Sequence, residues 1–205
     1  MALMLCVALT GCTKVVDTGK PTTELPVAPI PAGQVGDLLS DDAKKGDDGN
    51  LFVTADPEEC AGVAREVDPP FLFDHHPAAH DGGHWDTQTT YIEEIVAVYR
   101  ADYDPRAVID EVKRTIASCQ NTPFTITAMD GDTIEFSMLP PIESGSPDIV
   151  LWSFSAATWA CDNAFIAAHN AAIELTTCGP TNGFDVRTIA EEARERIEKL
   201  ANTTL

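Results

Sequence analysis

Four of the five histidines in this 205-residue chain, His75, His76, His80 and His84, fall within ten residues, in Asp74-His-His-Pro-Ala-Ala-His-Asp-Gly-Gly-His-Trp-Asp86. Imidazole and carboxylate together suit zinc or another divalent metal. His76, His80 and His84 have helical spacing, but Pro77 and Gly82-Gly83 oppose a continuous helix there. The stretch from Phe71 to Asp86 therefore reads as a solvated loop, with a divalent-metal site on its histidines as the alternative function. A histidine pH sensor is the third reading.

The cysteines give a sharper geometry. Cys161 to Cys178 reads as a β-hairpin closed at its open end. With His169-Asn170 as the turn, or Ala-His-Asn-Ala as a four-residue loop, paired residues have numbers summing to 339, and 161 plus 178 is 339. Counting outward from Ala168 and Ala171, the two cysteines form a non-hydrogen-bonded pair, close enough for a disulfide. The same register puts Ala164, Ile166, Ala168, Ala171, Ile173 and Leu175 on one face. Asn163, Phe165, Glu174 and Thr176 share the other, which is expected to be partly wet. Those four are the candidate ligand-binding residues, lining a cleft.

Residues 1–11 are apolar and uncharged and end in Leu9-Thr10-Gly11-Cys12, which resembles a bacterial lipobox, although no Lys or Arg precedes the apolar run. In that resemblance residues 1–11 are a lipoprotein signal peptide, possibly truncated at its start. Cys12 becomes the lipidated first residue of the mature chain, and Cys6 is removed with the signal. Export makes the remaining cysteines, an even four with no Cys-x-x-Cys, a disulfide set. The hairpin takes Cys161 with Cys178 and leaves Cys60 with Cys119. Residues 12–50, rich in Thr, Pro, Gly and Asp and without a sustained period, read as a flexible tether with a reach of about 35 Å. Leu38-Leu39 is expected to dock on the domain's edge.

The folded domain is expected over 51–205. Asp56-Pro57-Glu58-Glu59 predicts a helix to about Glu66, stopped by Pro69-Pro70. Thr87 to Arg100 reads as a central strand, Asp104-Pro105 opens a second helix, and Thr122 to Ala128 and Thr133 to Leu139 form a hairpin through Asp130-Gly131. After the turn-rich Pro140-Pro141 and Ser144-Gly145-Ser146-Pro147 comes a strand over 148–156, then the closed hairpin. A last amphipathic helix runs from about Asp185. Sequential hairpins with helices set apart predict a single α+β domain: an antiparallel β-sheet with helices packed on one face and two disulfides.

No Gly-x-Ser-x-Gly, His-Glu-x-x-His or phosphate-binding glycine pattern is present, so the chain reads as no enzyme. His169 reads as an exposed turn residue, and Trp152 and Trp159 as core or cleft wall. The formal charge of −20 counts against nucleic acid and against anionic lipid head groups.

The lipobox, the Pro-rich tether, Cys60 on the first helix, Cys119 closing the second, the Phe124-Thr125 strand, Trp159 before Cys161 and Cys178 closing the hairpin are together similar to the PknH-like sensor domain. This is the extracellular domain of certain mycobacterial serine/threonine kinases, and it occurs alone in small envelope lipoproteins. The resemblance implies an antiparallel sheet with helices, disulfides joining first to second and third to fourth cysteine, and a cleft that takes a ligand; it carries over no catalytic residue. The expectation is a non-catalytic sensor or ligand-binding lipoprotein, anchored on the outer face of the plasma membrane. Its partners would be an unknown small molecule, a lipid or an envelope protein, and it needs no cofactor unless zinc or another metal occupies the histidine stretch. Any signalling would run through another protein.

Overall fold

The computed structural model describes residues 28–45 and 51–203. The expected signal peptide, Cys12 and the first part of the tether lie outside the described residues. After a 3-10 helix over Ala32–Asp37 come β1 (Lys44–Lys45), β2 (Phe52–Asp56), a 3-10 helix over Glu58–Val63, α1 (Pro70–Phe73), β3 (Ala79–Asp86) and β4 (Tyr91–Val98). Next are α2 (Pro105–Cys119), β5 (Phe124–Ala128), β6 (Thr133–Met138), β7 (Ile149–Ser155), β8 (Ala160–Ala168), β9 (Ala171–Gly179) and α3 (Val186–Thr203). The strands form one antiparallel sheet in the order β1-β3-β4-β9-β8-β7-β6-β5-β2.

The β8–β9 hairpin is the sheet's centre, and its register is the expected one: Cys161 faces Cys178, Asn163 faces Thr176 and Phe165 faces Glu174. The turn is two residues, His169-Asn170, with His169 at a φ of +52°. Both disulfides form, Cys60–Cys119 and Cys161–Cys178.

Alternation along β8 makes two cores. Cys161, Phe165 and Ala167 face α2 and the Glu58–Val63 turn, with Phe124, Phe136, Trp152 and Phe154. Ala164, Ile166 and Ala168 face α3. The helices therefore lie on both faces, which corrects the expectation of one face. A central sheet apolar on both sides exposes two surfaces that need cover, and the amphipathic α2 and α3 supply one each.

Two local expectations also change. Asp56 ends β2, paired with Thr125, so it does not cap a helix, and the residues after it make only a 3-10 turn. Phe71 to Asp86 is not a loop: α1 buries Phe71 and Leu72, and β3 pairs along its whole length with β4. Its Gly82 and Gly83 are buried, and a Cβ on Gly83 would stand 3.0 Å from the Lys44 carbonyl, so the glycine admits the edge strand β1.

The expected tether is folded over 28–45, which moves the domain boundary back from Leu51. Leu38 is fully buried and Leu39 nearly so, with Ile30 beside them in the α3-side core. Polar contacts hold the segment. The Asn170 side chain accepts from Ile30 N (2.8 Å) and donates to Ile30 O (3.0 Å) and Tyr99 O (2.8 Å), while Arg196 Nε donates to Leu38 O at 2.7 Å.

Candidate ligand-binding site

The second half of α2 does not lie flat on β7. Between them, roofed by the loop from Pro141 to Pro147, is a cavity of about 480 Å³ lined by Lys113, Ile116, Ala117, Gln120, Ile142 and Val150 among others. The loop is tied down at several points. Ser144 Oγ donates to Ile149 O at 2.6 Å, Ile142 makes an isolated bridge to Leu151, and Arg187 donates to Glu143 O (2.5 Å) and Ser144 O. The prolines that made this segment read as a break instead make it a stiff rim.

The cavity wall combines aliphatic side chains of α2 and β7 with nearly as much polar surface from Lys113, Gln120 and the loop. Gln120 Nε2 donates to Leu139 O at 2.6 Å, which fixes the amide and leaves Oε1 buried without a hydrogen-bond partner among the described residues. Ile142 at the lip is 38% exposed, one of two large hydrophobic residues so exposed among those described. Lys113 brings a cation. Aliphatic surface beside a few polar groups is the make-up of small-molecule pockets.

The residues expected to bind ligand lie elsewhere. Asn163, Phe165, Glu174 and Thr176 do share a face, but it is interior, not partly wet. Phe165 is a core residue, 5.9 Å from Phe71 edge-to-face, and the Phe71 ring packs where a Cβ on Gly62 would stand 2.5 Å from it. Asn163 is buried beside Trp152, whose indole N–H donates to Val63 O at 2.8 Å. The covering layer comes from residues about one hundred positions away in sequence, so nothing local to the hairpin signals it.

The histidines disperse. His80 packs edge-to-face on Phe73 (4.8 Å), His84 stacks on Tyr91 (5.5 Å), and His75 meets the Tyr103 ring with its Nε2 3.8 Å from Glu111 Oε2. His76 joins His75 on the wall of a second, smaller cavity of about 360 Å³ with Tyr99 and Tyr103. No group of three His, Cys, Asp or Glu among the described residues could hold a metal ion. The strand alternation of β3 and the turn before it separate the four side chains. His169, read as an exposed turn residue, is part-buried with Nε2 3.1 Å from Glu198 Oε2.

What sequence reasoning missed on the α2 side is a set of buried acids. Glu66 is 3% and Glu174 6% exposed, and Glu93 is buried beside Glu66. Glu66 Oε2 accepts from Phe52 N at 2.9 Å, but its Oε1 and Glu174 Oε2 have no hydrogen-bond partner among the described residues. Desolvation pushes the Glu66 carboxyl up to about 7 against the opposing pull of the Phe52 N–H. Burial, then the neighbouring Glu66, drives Glu174 well above the usual carboxylate range. Tyr91 OH donates to Glu93 Oε2 at 3.3 Å, and His84 faces Glu93 across the strands. Tyr99, raised first by burial and then by Tyr103 and Glu174, closes the other end.

This acid row makes stability depend on pH in an unusual sense. The folded Glu66 holds its proton above the pH at which the unfolded chain releases it, so its contribution is whole below about 4.5 and is lost as pH rises through about 7. At ~1.36 kcal/mol per unit, urea unfolding should show about 3 kcal/mol lost over that window, with Glu174 adding in the same direction. Glu66→Gln should flatten the curve; an unfolding free energy that climbs with pH over that window in the parent would contradict this account.

The fold is a single antiparallel α+β domain whose helices cover both faces of the sheet, with an open cavity between α2 and β7. Residues 21–205 match the PknH-like extracellular domain family, so the chain belongs to that family and is extracellular in type. Among solved structures, the extracellular domain of PknH from Mycobacterium tuberculosis is similar to it with a TM-score of 0.68 at 16% identity, over 84% of this chain and 99% of that one. At that identity the likeness shows a shared fold. A protein from Arthrobacter aurescens (TM-score 0.28, 15% identity, 58% of this chain and 88% of that one) resembles it too weakly to carry an argument. The same holds for one from Mycobacterium smegmatis (0.32, 14%, 86% and 97%). No curated protein matches the chain.

Proposed function

We propose that this chain is a non-catalytic sensor domain of the cell envelope. A lipid on Cys12 holds it to the outer face of the plasma membrane, and it binds a small, mainly apolar molecule in the cavity between α2 and β7. The observation that carries the reading is that cavity: about 480 Å³, with aliphatic side chains of α2 and β7 facing a polar loop rim. Its size falls in the range of small-molecule sites. The lipobox-like Leu9-Thr10-Gly11-Cys12 supports the anchor, and membership of an extracellular domain family supports the compartment. The cavity's two serine hydroxyls belong to the loop's framework, Ser144 Oγ donating to backbone carbonyls and Ser146 Oγ accepting from Asp148 N, which favours binding over chemistry.

Ala117 is an exposed helix position on the cavity wall, so Ala117→Phe fills the space without touching the core. Nile red, an apolar fluorescent probe, should bind the parent chain and lose at least about tenfold in affinity in the variant, while urea unfolding changes by under about 0.5 kcal/mol. Native mass spectrometry of the chain from an exporting host should show an organic mass that leaves on unfolding. Equal Nile red binding by parent and variant would remove the cavity from the proposal.

A further inference from the structure

Adjacent residues of β4, Glu93 and Glu94, send carboxylates to opposite faces of the sheet, and the fold treats the two faces differently. On the α3 side, Glu94 is fully buried and held by the Arg196 guanidinium and by Ser40 N at 2.7 Å. On the α2 side, Glu66 and Glu174 are as deeply placed, yet no Lys or Arg pairs with either among the described residues. Each keeps one buried oxygen without a hydrogen-bond partner there. Carboxylates brought together in low dielectric cannot all ionise without a compensating cation.

We propose that this acid row is an internal receptor for a primary ammonium group, which plays on the α2 face the part that Arg196 plays on the other. The geometry suits an ammonium better than a metal. No three of the acidic, histidine or cysteine side chains described converge as a metal set, whereas an ammonium is satisfied by separate acceptors at hydrogen-bond distance. Glu66 Oε1 and Glu174 Oε2 supply two such acceptors, and the Thr176 hydroxyl lies on the same face of β9, two residues from Glu174. The half-buried rings of Tyr91 and His84, stacked 23° from parallel, flank Glu93 at the side of the row nearest solvent and form an aromatic threshold for a cation. This receptor is separate from the apolar cavity, and its ligand is of a different class.

Ethanolamine and putrescine are the probes, added to the full chain at neutral pH, with choline and sodium chloride as controls. Choline carries the charge but no N–H. The melting temperature should rise by about 3–5 °C at ten times the dissociation constant of either amine. It should not rise with choline or salt, and the rise should vanish in Glu66→Gln/Glu174→Gln. Titration calorimetry in two buffers of different ionisation enthalpy should show a proton released as the amine enters, a readout that needs no variant. An equal rise with choline or salt, an equal rise in the double variant, no rise with either amine, or binding without proton release would each overturn the proposal. In the third case the proton alone serves the site.

Discussion

Replacing Arg196 with Ala is expected to cost about 3–5 kcal/mol of stability at neutral pH, because it leaves a buried carboxylate without its counter-ion. Glu94 is fully buried, and its pKa already lies above the ordinary value: desolvation is the largest influence, and Arg196 is the main force opposing it. Without the guanidinium the native state must either bury the charge or take up a proton. The loss should therefore shrink as pH falls toward 5, since protonation removes the uncompensated charge. The same side chain also holds Leu38 O, so the variant should free the 28–45 segment first. Urea midpoints at two pH values test the energetics, and hydrogen exchange at Leu39 and Ser40 tests the segment. A loss under about 1 kcal/mol that does not vary with pH would show that Glu94 reaches solvent.

Removing the Cys60–Cys119 disulfide by paired substitution to Ala should cost about 4 kcal/mol by the chain-entropy relation, against about 3 for Cys161–Cys178. The difference rests on closing 59 positions of chain rather than 17. The longer bridge joins the Glu58–Val63 turn to the end of α2, which are two pieces of the layer covering the acid row. The shorter joins strands already paired along nine residues, so its loss leaves most of the hairpin's ladder in place. Thermal unfolding of the two paired variants ranks them. A larger loss for Cys161/Cys178 than for Cys60/Cys119 would mean that the hairpin is marginal without its cross-link.

How far the fold was legible follows from how local each signal is. The β8–β9 register came from two cysteine positions and a turn, and α2 from Asp104, which accepts from Arg106 N and Ala107 N as an N-cap. What failed depended on distant partners. The 71–86 stretch has the glycines and histidines of a loop, but eight pairings with β4 override that composition. Residues 28–45 have a tether's composition, yet Arg196 and Asn170, more than a hundred positions away, fold them onto the sheet. Glu174 read as a wet strand face because Glu66, its cover, lies on another segment. One signal was there to be read: Glu93-Glu94 in the middle of an otherwise apolar central strand puts one carboxylate into each core. The cavity wall at Gln120 left no such mark, since it exists only where α2 meets the loop before β7.

The Asn170 side chain grips both the N–H and the carbonyl of Ile30. A pull on the chain ahead of Ala28 thus arrives at the turn of the central hairpin, and the outermost strands, which peel one hydrogen bond at a time, are bypassed. The load enters the part of the sheet with the longest ladders and a covalent cross-link at its far end. A domain hung by this segment in a moving envelope would keep its shape under tension, so that its response is reserved for chemistry.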